Sequence, residues 1–266
     1  MKFLSLMFRL INVGSVMKKV IHNESVKVGI VFDMDYTLVY PTVKFDEVFE
    51  KFFDVPLSTV SERWLGAIYE NPMAKGHEII KHTFPDMNTE EAQEKAVSFG
   101  LEWAKVHNIY PGCFEFLSTL KSNPVYKLGL LTNGPSDFQR AIVDFLDISK
   151  YFDVIVTSGD EDVGIRKPNK DVFNIMAQKM DLPAESLFMV GDVIDKDILP
   201  AVELGWGGIW ITPNVEIVEI PNRISLQDLL SNSHVIQEKP LSIRWSDIEV
   251  ESTLIGQDQY ESKDDL

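Results

Sequence analysis

Five short segments of this 266-residue chain are almost continuously apolar: Val28–Phe32, Lys127–Leu131, Val154–Thr157, Leu187–Val190 and Gly208–Ile211. A strand with one wet face would alternate apolar and polar residues. Continuous apolar runs need cover on both faces, which parallel strands receive from crossover helices. Helical patterns fill the gaps as that reading requires. "SDFQRAIVDFL" has capping-box spacing at Ser136 and Gln139 and places Phe138, Ala141, Ile142, Phe145 and Leu146 on one face. "PNKDVFNIMAQKM" puts Pro168 at a first-turn position and stripes Val172, Phe173, Met176, Ala177 and Met180. "DILPAVELG" runs to a stop at Gly205, with Pro200 near its start. The expected class is α/β, a doubly wound parallel sheet.

One connection breaks the rhythm. Roughly ninety residues separate the first strand from the second, far beyond an ordinary crossover. "FDEVFEKFF" sets Phe45, Val48, Phe49, Phe52 and Phe53 on one helical face, and "NTEEAQEKAVSFGLEWAKVH" opens with Asn88 and Glu91 at capping-box spacing. The expected organisation is an N-terminal extension (1–26), an α/β core (27–40 and 109–234), a small helical cap inserted at 41–108, and an acidic C-terminal tail (235–266). An insert at that point lies over the carboxyl ends of the strands, where open α/β sheets bind ligands, so it reads as a lid. Arg63, Trp64, Lys75, His77 and Lys81 are its polar or aromatic candidates for the pocket. "IPNRISLQDLL" reads as a last short strand and helix. From Asp247 onward there are seven acids and one lysine, a composition that favours a solvated tail.

The net charge of −16 argues against a nucleic-acid polymer as partner, since that binding needs a basic face. A phosphorylated small molecule stays compatible, because a bound divalent cation inverts the local field. The single Cys113 excludes an internal disulfide framework and fits a reducing compartment. The five histidines show no zinc-ligand spacing. The opening "FLSLMF" run, broken by Arg9, is too short to cross a membrane and lacks a small-residue cleavage site. A cytoplasmic location with no membrane partner is expected.

Four polar clusters sit at or just after the ends of successive strands: Asp33 and Asp35, then Thr132-Asn133-Gly134, then Lys167 in "GIRKP", then Gly191-Asp192 with Asp197 in "VGDVIDKDI". Singly each has an ordinary explanation as a turn, a cap or a solvated side chain. In a parallel sheet all four reach the same edge, so residues a hundred apart can converge. Two carboxylates as close as Asp33 and Asp35 repel unless positive charge lies between them.

"VFDMDYTLV", "LLTNG", "GIRKPNKDVF" and "MVGDVIDKDI" resemble, in order, the four motifs of the haloacid dehalogenase superfamily, in its variant with a helical cap between the first and second motifs. The likeness covers about residues 27–231 and implies a Rossmann-like core. One departure is Tyr36, where the family most often has glycine. The resemblance implies a Mg²⁺-dependent phosphatase of small phosphorylated metabolites. Asp33 would be the nucleophile that forms an aspartyl-phosphate, splitting one hard step into two. Asp35 would protonate the leaving alcohol and deprotonate the attacking water, while its backbone carbonyl binds metal. Asp33, Asp35 and Asp192 would thus hold Mg²⁺, with Asp197 behind them or close to Lys167. Lys167 would neutralise phosphate and nucleophile, Thr132 would donate its hydroxyl, and backbone N–H groups around Met34 and Asn133 would bind phosphoryl oxygens. Asp195 reads as a solvated loop residue.

Four other readings share parts of this pattern. Dehalogenases usually carry tyrosine where this chain has Asp35, and a halide needs no leaving-group proton. A phosphomutase uses the same acid pair. A signalling receiver domain has an acceptor aspartate, threonine and lysine but no inserted lid, and its acidic pair precedes the acceptor by a strand and a helix. A non-catalytic phosphate-binding protein would be expected to have lost some of these positions, and none is missing.

Overall fold

The structure, a computed structural model, describes residues 27–211. The expected N-terminal extension, the segment beyond residue 211 with its last strand and helix, and the acidic tail lie outside those residues. The sheet has five strands: β1 (Val28–Phe32), β4 (Tyr126–Thr132), β5 (Val154–Thr157), β6 (Leu187–Gly191) and β7 (Gly207–Trp210), in the order β5-β4-β1-β6-β7. Every pairing is parallel. The continuous apolar runs are explained by cover on both faces. Ile30, Phe32, Leu128 and Leu130 meet one apolar cluster, while Val31, Leu131, Val156 and Met189 meet another on the opposite side. Gly129 lets the second layer come close: a Cβ there would lie 2.1 Å from the Met176 methyl.

Strand order reverses beside β1. The chain moves outward through β4 and β5, then returns to lay β6 and β7 on the other side of β1. Phe32 registers with Leu130 and with Val190, so Asp33, Thr132 and Gly191-Asp192 leave the sheet at nearly one level. That is the switch-point crevice in which doubly wound sheets hold ligands.

The long insert contains α1 (Phe45–Phe53), α2 (Ser61–Glu70), α3 (Gly76–Thr83) and α4 (Thr89–Lys105). Asn88 caps α4 by accepting from the Glu91 N–H at 2.8 Å. Two three-residue strands, β2 (Val39–Pro41) and β3 (His107–Ile109), pair antiparallel where the insert leaves and rejoins the sheet. The sequence gives no strand signal there, because three residues are too few for a period to show. The insert buries its own apolar cluster, in which Phe49, Trp64, Ile79, Ile80 and Phe99 are fully enclosed.

After α5 (Cys113–Lys121) and β4, helix α6 (Ser136–Phe145) corrects the expected capping box and stripe. Pro135 is the N-cap, and the Ser136 hydroxyl donates to Asp160 instead of the helix backbone. The buried face is Phe138, Gln139, Ile142 and Val143, while Phe145 is exposed. The stripe is rotated because the start of α6 contacts the insert. Phe138 stacks on Trp64 and stands edge-on to Phe99, reached through Gly76 and Gly100, where a Cβ would crowd it. Asp137 accepts from the Gly76 N–H at 2.7 Å. Phe138→Ala should therefore destabilise the fold by about 3–5 kcal/mol, read as a lowered urea midpoint. An unchanged midpoint would mean the insert is not anchored there.

Pro168 also sits differently from expectation. The helix α7 (Lys170–Met180) starts later, capped by the Asn169 side chain on the Asp171 N–H at 2.9 Å, and Pro168 follows a cis bond from Lys167. Beyond β6 a π-turn, Ile194–Ile198, leads into α8 (Leu199–Glu203), with Pro200 in its first turn and Gly205 beyond its end at φ 88°.

Candidate active site

Asp33 and Asp192 leave the ends of β1 and β6, and they are joined there by Lys167, from the loop between β5 and α7, and by Asp197, from the π-turn after β6. The Lys167 ammonium lies 2.7 Å from Asp33 Oδ1 and 2.6 Å from Asp197 Oδ1, and it is 5% exposed. Burial disfavours the ammonium, but Asp197 and Asp33 more than offset this and hold Lys167 above the usual lysine range. Its loop is fixed by a two-point amide clasp. The Asn133 side chain donates to the Lys167 carbonyl at 3.0 Å and accepts from the Lys167 N–H at 2.9 Å. Asn133 thus has a side-chain task that the sequence did not suggest.

Asp33, Asp192 and Asp197 each offer an oxygen within 4.8 Å of the others. One lysine does not neutralise three such carboxylates. Burial, then the nearby Asp33 and Asp197 charges, push the Asp192 carboxyl up to about 8. Burial raises Asp197 to about 6 despite Lys167. An all-oxygen set with more negative than positive charge suits a hard divalent cation, so these residues fit the metal expected from the sequence. Asp197 is the least available of the three, since Oδ1 meets Lys167 and Oδ2 accepts from the Val193 N–H at 3.1 Å. Thr37 reaches Asp192 Oδ1 at 3.4 Å, and the Trp210 indole donates to the Asp192 carbonyl at 2.8 Å.

Asp35 stands in a different environment. Burial raises its pKa, and the Gln139 side chain donates to Oδ2 at 3.0 Å. Burial also raises Asp33, which the Lys167 ammonium and the Met34 N–H pull back. The Gln139 amide nitrogen further lies 2.8 Å from both Thr132 Oγ1 and the Asn133 carbonyl. Three acceptors around one nitrogen fix the orientation of the amide. An amide nitrogen accepts nothing, so the Thr132 O–H is left for another acceptor. Gln139 is the main functional residue that the sequence reading missed. The available signal was a polar residue one helical turn from Ile142 and Val143, on the stripe that should be apolar.

Tyr36 adopts φ 58°, the left-handed region where glycine is unstrained. That explains the usual family residue at this turn. Asp195 is exposed, as expected. Among the lid candidates, Trp64 is core packing, and Lys81 is bound to the Pro85 and Met87 carbonyls. Lys75 pairs with Glu161 at 3.3 Å, and Arg63 is exposed. No helix among the described residues is long and apolar enough to cross a membrane.

A family model for haloacid dehalogenase-like hydrolases matches residues 28–205. The chain is 31% identical over 136 residues to pyrimidine 5'-nucleotidase YjjG of Escherichia coli (strain K12), spanning 51% of this chain and 58% of that protein. It is 32% identical over 192 residues to glyceraldehyde 3-phosphate phosphatase of Methanocaldococcus jannaschii, spanning 66% of this chain and 81% of that one. Among solved structures, a 2-haloacid dehalogenase from Pseudomonas syringae pv. Tomato DC3000 superposes with a TM-score of 0.59 at 23% identity, over 77% of this chain and 96% of the other. At that identity the likeness is one of fold.

Proposed function

This chain belongs to the haloacid dehalogenase-like hydrolases, and we propose that it is a Mg²⁺-dependent phosphatase working through an aspartyl-phosphate on Asp33. The observation that carries this reading is the different company of two neighbouring carboxyls. Asp33 is held by an ammonium, which favours the ionised nucleophile, whereas Asp35 meets the neutral amide of Gln139. Paired carboxyls in environments that separate their roles are how one site runs nucleophilic and acid–base chemistry together.

An Asp33 oxygen attacks phosphorus, and the bond to the leaving oxygen breaks. Asp35 gives that oxygen its proton. Water then attacks the phosphorus of the acyl phosphate, Asp35 takes the proton back, and the bond to Asp33 breaks to release phosphate. Lys167 neutralises Asp33 and the phosphoryl group, Thr132 donates its hydroxyl, and backbone N–H groups near Met34 and Asn133 bind the remaining oxygens. Mg²⁺ would be held by Asp33, Asp192 and the Asp35 carbonyl, and when bound it supplies fixed positive charge to the phosphoryl oxygens. The helical insert, 41–108, serves as a cap over the strand ends that bounds the substrate pocket. Asp35 favours phosphate over halide chemistry, because a departing halide needs no proton.

The substrate class is a small phosphorylated metabolite, supported by the relatives named for a nucleotidase and a triose-phosphate phosphatase. The test is phosphate release from a nucleoside monophosphate, a triose phosphate and a phospho-acid, with Mg²⁺ and with EDTA. Metal-dependent release is expected. Inertness toward every ester with Mg²⁺ present would sink the reading.

A further inference from the structure

His107 lies on β3, the strand that brings the chain back from the helical insert, and its side chain is fully buried. The ring stands edge-on to Trp103, centroids 4.5 Å apart. Its Nδ1 is 2.8 Å from the Trp103 carbonyl oxygen. A carbonyl only accepts, so Nδ1 carries the hydrogen, and Nε2 of the neutral ring is a bare lone pair. Among the described residues, Nε2 of His107 is the one buried side-chain polar atom without a hydrogen-bond partner. A buried acceptor left unmatched is unfavourable and calls for an explanation. The atom 3.8 Å away is Asp35 Oδ1.

The two oxygens of Asp35 are not equivalent. Oδ2 accepts from Gln139, so when Asp35 is in its acid form the hydrogen belongs on Oδ1, the oxygen nearest His107. We propose that His107 is a positioning residue: its Nε2 accepts the Asp35 Oδ1–H and holds the acid in one orientation until the leaving oxygen of the substrate takes its place. At 3.8 Å the pair is too far apart for a hydrogen bond, and an approach of roughly 1 Å closes it. The β2–β3 ribbon that carries His107 is also the junction between insert and sheet. Asp35 itself bridges to Val39 of that ribbon, so the acid and His107 are held by one short sheet. The proton passes from Asp35 Oδ1 to the ester oxygen as the P–O bond breaks, and His107 itself keeps its hydrogen on Nδ1.

The proposal rests on Asp35 being the acid, and the test separates the two claims by leaving group. An alkyl phosphate such as β-glycerol phosphate needs a proton on its leaving oxygen, whereas 4-nitrophenyl phosphate departs as a stable phenolate. His107→Asn keeps a donor for the Trp103 carbonyl but offers no acceptor at the Nε2 position. His107→Gln places an amide oxygen near it. In the Mg²⁺-loaded full chain, His107→Asn should lower kcat on the alkyl ester about 10-fold or more, with the aryl ester far less affected. His107→Gln should recover much of the loss. The alkyl-to-aryl ratio is internal to each variant, so partial misfolding does not move it. Equal losses on both esters, or identical behaviour of the two variants, would show that His107 only packs. Wild type inert with Mg²⁺ toward every ester tried, these two and the metabolite panel alike, would instead overturn the phosphatase reading, and this proposal with it.

Discussion

Asp33→Asn should lower kcat by about 10⁴-fold or more, the scale on which removing a covalent nucleophile acts, while leaving the protein folded. The substitution keeps the shape of the side chain and exchanges one oxygen anion for a neutral amide. Lys167 retains Asp197 as a 2.6 Å partner, so no ammonium is stranded in the interior. One of three crowded carboxylates is also neutralised, which relieves the repulsion acting on Asp192. The expected pattern is a near-wild-type melting temperature with no measurable turnover. Quenching wild type in acid during turnover of labelled substrate should leave phosphate on Asp33, and the variant should hold none. A variant retaining a tenth of wild-type kcat would exclude Asp33 as the nucleophile.

The parallel sheet and the polar clusters at or beyond its strand ends are legible because their signals are local. A run such as Val28–Phe32 announces burial on both faces without knowledge of its neighbours. What closes the site is long-range. Lys167 meets Asp33 across 134 positions, and only the strand order, with β4 and β6 flanking β1, makes that meeting possible. Ser-x-x-Gln spacing points to a capping box at Ser136 and Gln139. The amide instead serves Asp35, Thr132 and Asn133, and no local pattern distinguishes the two uses. The apolar stripe places Phe138 on one helical face without saying what that face meets, and it packs against Trp64 and Phe99 of the insert. His107 carries no signal in the sequence, because its strand is three residues long and its only sign is the company it keeps in the fold.

Lys167→Met should abolish turnover and also unfold the protein more easily, which distinguishes it from Asp33→Asn. The methionine fills similar volume, but it leaves Asp33 and Asp197 buried with no cation between them. Removing one partner of a buried ion pair is destabilising by about 3–5 kcal/mol, because the remaining charge stays in a low-dielectric interior. The defect should depend on pH with a definite sign. Burial already raises both carboxyls above the ordinary value of 3.8, and losing the ammonium raises them further. Both therefore bind protons more readily folded than unfolded, so the variant is least impaired near pH 4 and loses stability as pH rises through their folded values. Urea midpoints of wild type and variant should converge toward pH 4 and separate by pH 8. Mg²⁺ should narrow the separation at pH 8 if Asp33 and Asp192 hold it, since a bound cation replaces part of the missing charge. Parallel midpoints across that range would mean that Lys167 does not neutralise the pair, and the ionised state assigned to Asp33 would lose its physical basis.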